Sequence, residues 1–188
     1  MTTTGIVLLI VAILVIAACA VFGWYLMRGQ RSKRLRSRFG PEYDDVVRRY
    51  GDRPRAEEAL AKREKRMEKV HIRPLSHDEH DRFGEQWHIV QARFVDDPPG
   101  SIHDADQLVC EVMRARGYPM SDFGRRADDL SVDHPLVVRN YRQAHEIAES
   151  HEKGQASTED LRQALVYYRD LFDDLLEAHF SGPREIRR

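Results

Sequence analysis

The five residues His77-Asp78-Glu79-His80-Asp81 gather two imidazoles and three carboxylates, side chains that bind zinc or carry protons. On a helix, His77 and Asp81 stand one turn apart, and His77 and His80 share a face. Further on, Glu85 and His88 form a Glu-x-x-His pair, as do Glu68 and His71. Di-iron bundles draw one such pair from each of two core helices. The candidate metal ligands are therefore His77, His80, Glu85 and His88, and with them the chain would be a metal-binding enzyme or regulator. Two facts oppose this. Acidic residues at a helix start are what the helix dipole favours without any metal. The two Glu-x-x-His pairs also flank Pro74, which keeps them from facing one core. The expectation is no metal and no cofactor.

Asp133-His134 has the look of a catalytic dyad. Followed by Pro135, it equally reads as a helix start, with Asp133 accepting from free N–H groups and proline placed where no donor is needed. No phosphate-binding glycine loop, Gly-x-Ser-x-Gly elbow, His-Glu-x-x-His or Cys-x-x-Cys occurs in the chain. No catalytic residue is assigned. His145, His151 and His179 fall on amphipathic faces and read as boundary residues.

The elements that would position these groups are helical throughout. A short helix from Glu42 to Tyr50 is entered through Gly40-Pro41 and left at Gly51-Asp52. Pro54 starts a second helix, running to about Val70, whose alternating charges predict a solvated spacer. Ser76 and Glu79 form a capping box ahead of Phe83, Trp87, Val90 and Phe94, which share one face. Ile102, Ala105, Val109 and Val112 mark the next helix, with Gly117 after its end. Ser121 caps a short helix through Leu130. A long helix from Asp133 to Gly154 follows, and Ser157 with Asp160 caps the last one, striped by Leu161, Leu165, Tyr168, Phe172 and Leu175. Such stripes must bury against one another, and the expected fold is all-α.

At the other end, residues 5–27 are an uncharged apolar run, long enough at ~1.5 Å per residue to cross a ~30 Å hydrocarbon core. Arg28, Arg31, Lys33, Arg34, Arg36 and Arg38 crowd its C-terminal side. The positive-inside rule then predicts a single-pass protein of a bacterial inner membrane, with the N-terminus outside and the remainder cytoplasmic. These six cations are the expected membrane-surface residues, and lipid is the expected partner of 5–38. Ile16-Ala17-Ala18-Cys19 keeps a lipoprotein alternative open. The net charge of −1 becomes −7 once the six positives are set aside, which argues against nucleic acid as a partner. Cys110 is the sole cysteine beyond the run, so an intrachain disulfide framework is excluded there.

The expected organisation is a short extracytoplasmic N-terminus (1–4), a transmembrane helix (5–27), a basic juxtamembrane segment (28–39), a charged helical linker (40–74), a compact bundle of about four helices (75–180) and a basic tail (181–188). The stretches RLRSRFGPEYDDVV, QARFVDDP, VMRARGYP, RRADDLSVDHPLVVRNYRQAH and STEDLRQALVYYRDLF resemble an uncharacterised family of small bacterial proteins. That family joins an N-terminal hydrophobic segment to a helical domain. The resemblance implies one recurrent helical module and brings no catalytic residues. The functional expectation is a protein-interaction or adaptor module, binding through Tyr118, Met120, Phe123, Asp133 and His134, where aromatic and methionine side chains sit in a break between helices. A homo-oligomeric scaffold is the alternative, ahead of the metal-binding reading.

Overall fold

The computed structural model describes residues 29–177 and Ile13. Every element within them is helical: α1 (29–39), α2 (Pro41–Tyr50), α3 (Arg53–Met67), α4 (His77–Arg93), α5 (Pro98–Arg116), α6 (Phe123–Leu130), α7 (Val138–Glu152) and α8 (Thr158–Glu177). The all-α expectation agrees with this. The transmembrane expectation does not: among the described residues no helix is long and apolar enough to cross a membrane. The run 5–27 on which it rested lies outside the described residues, apart from Ile13. The single-pass inner-membrane placement is corrected with it.

One hydrophobic cluster runs from Leu35 to Leu176 and takes residues from all eight helices. Its centre is α5, packed against α4 and α8, with α7 against α8. Trp87 of α4 stacks on Phe172 of α8 at a centroid distance of 4.7 Å, and Tyr141 of α7 meets Tyr168 of α8 edge-on at 6.2 Å. Local signals set the helix ends. Ser76 and Glu79 close the expected capping box, and the Arg73 guanidinium grips the same Glu79 carboxylate with two hydrogen bonds of 2.7 and 2.9 Å. Gly117 ends α5 in the left-handed region at φ 94°, where a Cβ would come within 2.7 Å of the His71 carbonyl oxygen. The chain ahead of α4 is held against this end by Arg73 N–H donating to the Arg116 carbonyl at 2.9 Å.

The segment expected as a solvated spacer is part of this core. Ala56 and Leu60 are 0 % exposed and Met67 is buried, and Arg63 completes the same stripe. The Arg63 guanidinium donates to Glu42 Oε1 at 2.8 Å and pairs with Asp128 at 2.7 Å. Arg142 donates to both Glu42 oxygens, at 2.7 and 3.0 Å, and to Asp128 at 3.3 Å. Two cations and two anions from α2, α3, α6 and α7 thus neutralise one another inside the fold. A stripe that includes a buried arginine is invisible to apolar periodicity. The arginine is buried because its charge is matched, which a single-helix reading has no means to show.

The basic run is likewise part of the domain. Ser32, Leu35 and Phe39 of α1 recur at helical spacing and are buried. On the outer side Arg34 pairs with Glu64 at 2.7 Å, Arg36 with Asp44 at 3.2 Å, and Arg38 with Glu64 and Asp133 at 3.6 and 3.7 Å. Arg31 and Lys33 are exposed on the same helix, and Arg28 lies outside the described residues. Beneath them Tyr43 donates to Glu57 at 2.7 Å, and the Arg53 guanidinium donates to both.

Burial by itself would raise the Glu42 carboxyl, but Arg142 and then Arg63 outweigh it and hold the pKa below the ordinary 4.5. A depressed folded-state pKa adds stability that is complete above pH 4.5 and disappears as pH falls through the lower folded value. Glu42→Gln should therefore cost about 3 kcal/mol near neutrality, because it leaves two arginines facing one carboxylate. Its deficit should shrink on acidification below that pH. Replacing Glu42, Arg63 and Arg142 together with apolar residues should recover most of the loss in the same denaturant titrations.

Candidate functional site

Of the sequence-derived candidates, the four metal ligands are not brought together. The His77 side chain is 79 % exposed and lies 3.7 Å from Asp81. His80 Nδ1 lies 3.2 Å from Asp81, and Glu85 and His88 are exposed on α4. Among the described residues no group of three His, Cys, Asp or Glu side chains is close enough to hold a metal ion. These groups form the polar outer side of a capped helix.

The expected contact surface is mostly interior. Tyr118 is 3 % exposed and His134 is 5 % exposed, while Met120 and Phe123 pack against the core. Nor does Asp133 begin the long helix. Residues 131–137 turn, and α7 begins at Val138 with no side-chain cap. Asp133 instead accepts from the Tyr118 hydroxyl at 3.3 Å and pairs with Arg38. His134 bridges two elements: its Nδ1 bonds the Asp174 carboxylate of α8, and its Nε2 lies 2.9 Å from the Tyr118 hydroxyl. A carboxylate only accepts, so Nδ1 carries the proton. Burial, then the Asp133 charge, pushes the Tyr118 pKa well up, which keeps the phenol protonated. The Asp174–His134–Tyr118 chain has the order of a proton relay. Its interior placement makes it a clasp between the end of α5, the 131–137 turn and α8.

The chemistry left open lies elsewhere. Between α5, α7 and α8 is a cavity of about 150 Å³ lined by Ile102, His103, Asp106, His145, His151 and Tyr168 among others. Helix periodicity explains its composition. Ile102 and Asp106, like His145 and Glu149, are one turn apart and reach the cavity from successive turns. Among the described residues three polar atoms there are buried with no close hydrogen-bond partner, Asp106 Oδ1, His151 Nδ1 and Tyr168 Oη, although the Tyr168 hydroxyl faces Asp106 beyond normal hydrogen-bond length. Tyr168 is 0 % exposed. Its pKa is raised strongly, first by burial and next by the nearby Asp106 charge. Behind it, Arg126 donates to the Tyr141 hydroxyl at 2.9 Å, and the Cys110 thiol is pushed up by burial. His145 stacks on Phe123 at a centroid distance of 3.5 Å, which fixes one wall.

In the sequence His145 and His151 read as boundary residues, Tyr168 reads as one member of the α8 stripe, and nothing marks Asp106 as functional. Asp106 falls at helical spacing on the same face as Ile102, Ala105 and Val109, an acid within an apolar stripe. That was the available signal. Its meaning depends on which helices pack opposite it.

A second concavity runs between α4 and α5, lined by Gln86, Ile89, Val90, Asp104, Gln107, Leu108 and Glu111, with Ile89 68 % exposed at its edge. Comparison with protein-family models, curated proteins and solved structures gives no match for the chain.

Burying a hydroxyl without a partner costs ~1–3 kcal/mol. Tyr168→Phe should therefore raise the melting temperature of the ligand-free protein, by an amount matching up to about 1 kcal/mol after the altered contacts are counted. Thermal denaturation of the two purified chains checks this.

Proposed function

We propose that the helical unit is a binding module whose primary ligand is a small polar molecule held between α5, α7 and α8. One observation carries the reading: among the described residues a carboxylate oxygen and an imidazole nitrogen in one cavity lack close hydrogen-bond partners, and a fully buried tyrosine hydroxyl meets that same carboxylate only beyond normal hydrogen-bond length. Folded proteins pair nearly all such groups, and unpaired ones concentrate where a ligand or water completes the set. The surrounding residues favour binding over turnover. The residues lining the cavity include no serine, cysteine or threonine nucleophile, and the Tyr168 phenol is held protonated.

A second reading, the protein-interaction module, is supported by a different place. Ile89 stands 68 % exposed beside Val90 and Leu108, in a groove rimmed by Asp104 and Glu111. An apolar helix face with basic flanks would fit such a groove. The two readings are compatible, since the cavity and the groove lie on different sides of α5.

The first reading is tested with full-length protein bearing Ala148→Phe, which places a ring in the cavity wall. In a thermal-shift screen of small polar metabolites, hits should raise the melting temperature of the natural chain in proportion to ln(1 + [L]/Kd). The same hits should leave the Ala148→Phe protein unmoved. Hits that stabilise both chains equally would place the ligand elsewhere. For the second reading, Ile89→Asp should weaken self-association or partner capture while leaving the melting temperature unchanged.

A further inference from the structure

We infer that the cavity between α5, α7 and α8 takes a small organic ammonium ion, its head at Asp106 Oδ1 and Tyr168 Oη and its hydrocarbon part against Ile102, Ala148 and Leu161. The inference rests on the binding reading above and adds the chemical class.

The unpaired atoms have a common property. Asp106 Oδ1 only accepts hydrogen bonds, the Tyr168 oxygen keeps free lone pairs while its O–H faces Asp106, and His151 Nδ1 accepts in the tautomer protonated on Nε2. An alkylammonium head has three donors and no acceptor. A carboxylate or phosphate ligand would add acceptors to a set already rich in them. Charge points the same way, because Asp106, Glu149 and Glu152 all line the cavity. Its remaining ionisable groups are Tyr168 and three imidazoles: His103 with Nε2 2.8 Å from the Gln107 amide, His145 with Nε2 3.4 Å from Glu149, and His151. The Arg126 guanidinium donates to the Tyr141 hydroxyl and lies within electrostatic reach of Asp106, so it offsets part of that charge without closing the cavity's acceptor set.

Size and wall chemistry set the rest of the ligand. The cavity of about 150 Å³ has room for several waters or a short organic molecule. Ile102, Ala148 and Leu161 offer an apolar wall for a short alkyl chain. A bare divalent cation fits less well, since no three His, Cys, Asp or Glu ligands converge among the described residues.

The test uses full-length protein and four probes: butylammonium, butanol, butyrate and Zn²⁺, titrated by calorimetry and followed by NMR at the Ile102 methyls. Butylammonium should bind at least about tenfold more tightly than butanol, with the Ile102 resonances shifting, and butyrate should not bind. Asp106→Asn should weaken butylammonium by about tenfold or more and leave butanol unchanged. Tyr168→Phe, which keeps the core packed, should weaken it less. Equal binding of butanol and butylammonium at this cavity would overturn the ammonium inference and leave the binding reading standing. Preference for butyrate would do the same. Zn²⁺ displacing butylammonium, with the histidine resonances moving first, would replace the class by a metal. No shift at Ile102 with any probe would overturn the ammonium inference, and the binding reading falls with it if no metabolite in the thermal-shift screen separates the natural chain from Ala148→Phe.

Discussion

Glu42 sits with no exposed side-chain surface between two arginines, and most of the arrangement of the N-terminal half follows from that. Carrying an ionised carboxylate out of water costs several kcal/mol, and that penalty is offset only where geometry supplies full pairing. Arg63 from α3 and Arg142 from α7 complete it, and Asp128 from α6 balances the second positive charge. The network has directional demands that a hydrocarbon contact lacks, so it fixes the rotation of four helices as well as their separation. Arg66 bonding the buried Asp129 at 2.6 Å repeats the device one turn along α3.

Helix identity was largely legible in the sequence. The Ser76 and Ser157 caps, the Gly51, Gly117 and Gly154 stops, and the aromatic stripes of α4 and α8 are decided by neighbours within one turn. The failures share a cause. Arg63 and Glu57 line the buried side of α3, but a charged side chain in a stripe reads as solvent-facing until its partner is known, and Glu42 lies 21 residues away from Arg63. Asp133 was read as a cap because caps are local. It is bound instead by Tyr118 from the end of α5 and by Arg38 from α1. Arg34, Arg36 and Arg38 form a basic run in one dimension, and in three dimensions Glu64, Asp44 and Asp133 stand opposite them.

The candidate site was less legible than the fold. Ile102, Asp106, His145, His151 and Tyr168 come from three helices, and nothing in their spacing links α5 to α7 or α8. Unpaired polar atoms are defined by what is missing around them, which requires coordinates. The polar residues that did attract attention, the 77–81 cluster and the 133–134 pair, are satisfied by helix capping and by buried hydrogen bonds.

The Glu42–Arg142 pair spans 100 positions of sequence, and this has a consequence for how the chain acquires its shape during synthesis. Emerging from the ribosome, α1 to α3 can close the short Glu42–Arg63 loop at once. The face of α3 that packs against α6 gains its cover only when α6 arrives. At ~5–20 residues per second, several seconds pass with that apolar surface open to water. The N-terminal helices would be a holding site for chaperones in this interval. Arrival of Arg142 would then mark the moment when the nascent chain commits to its final topology.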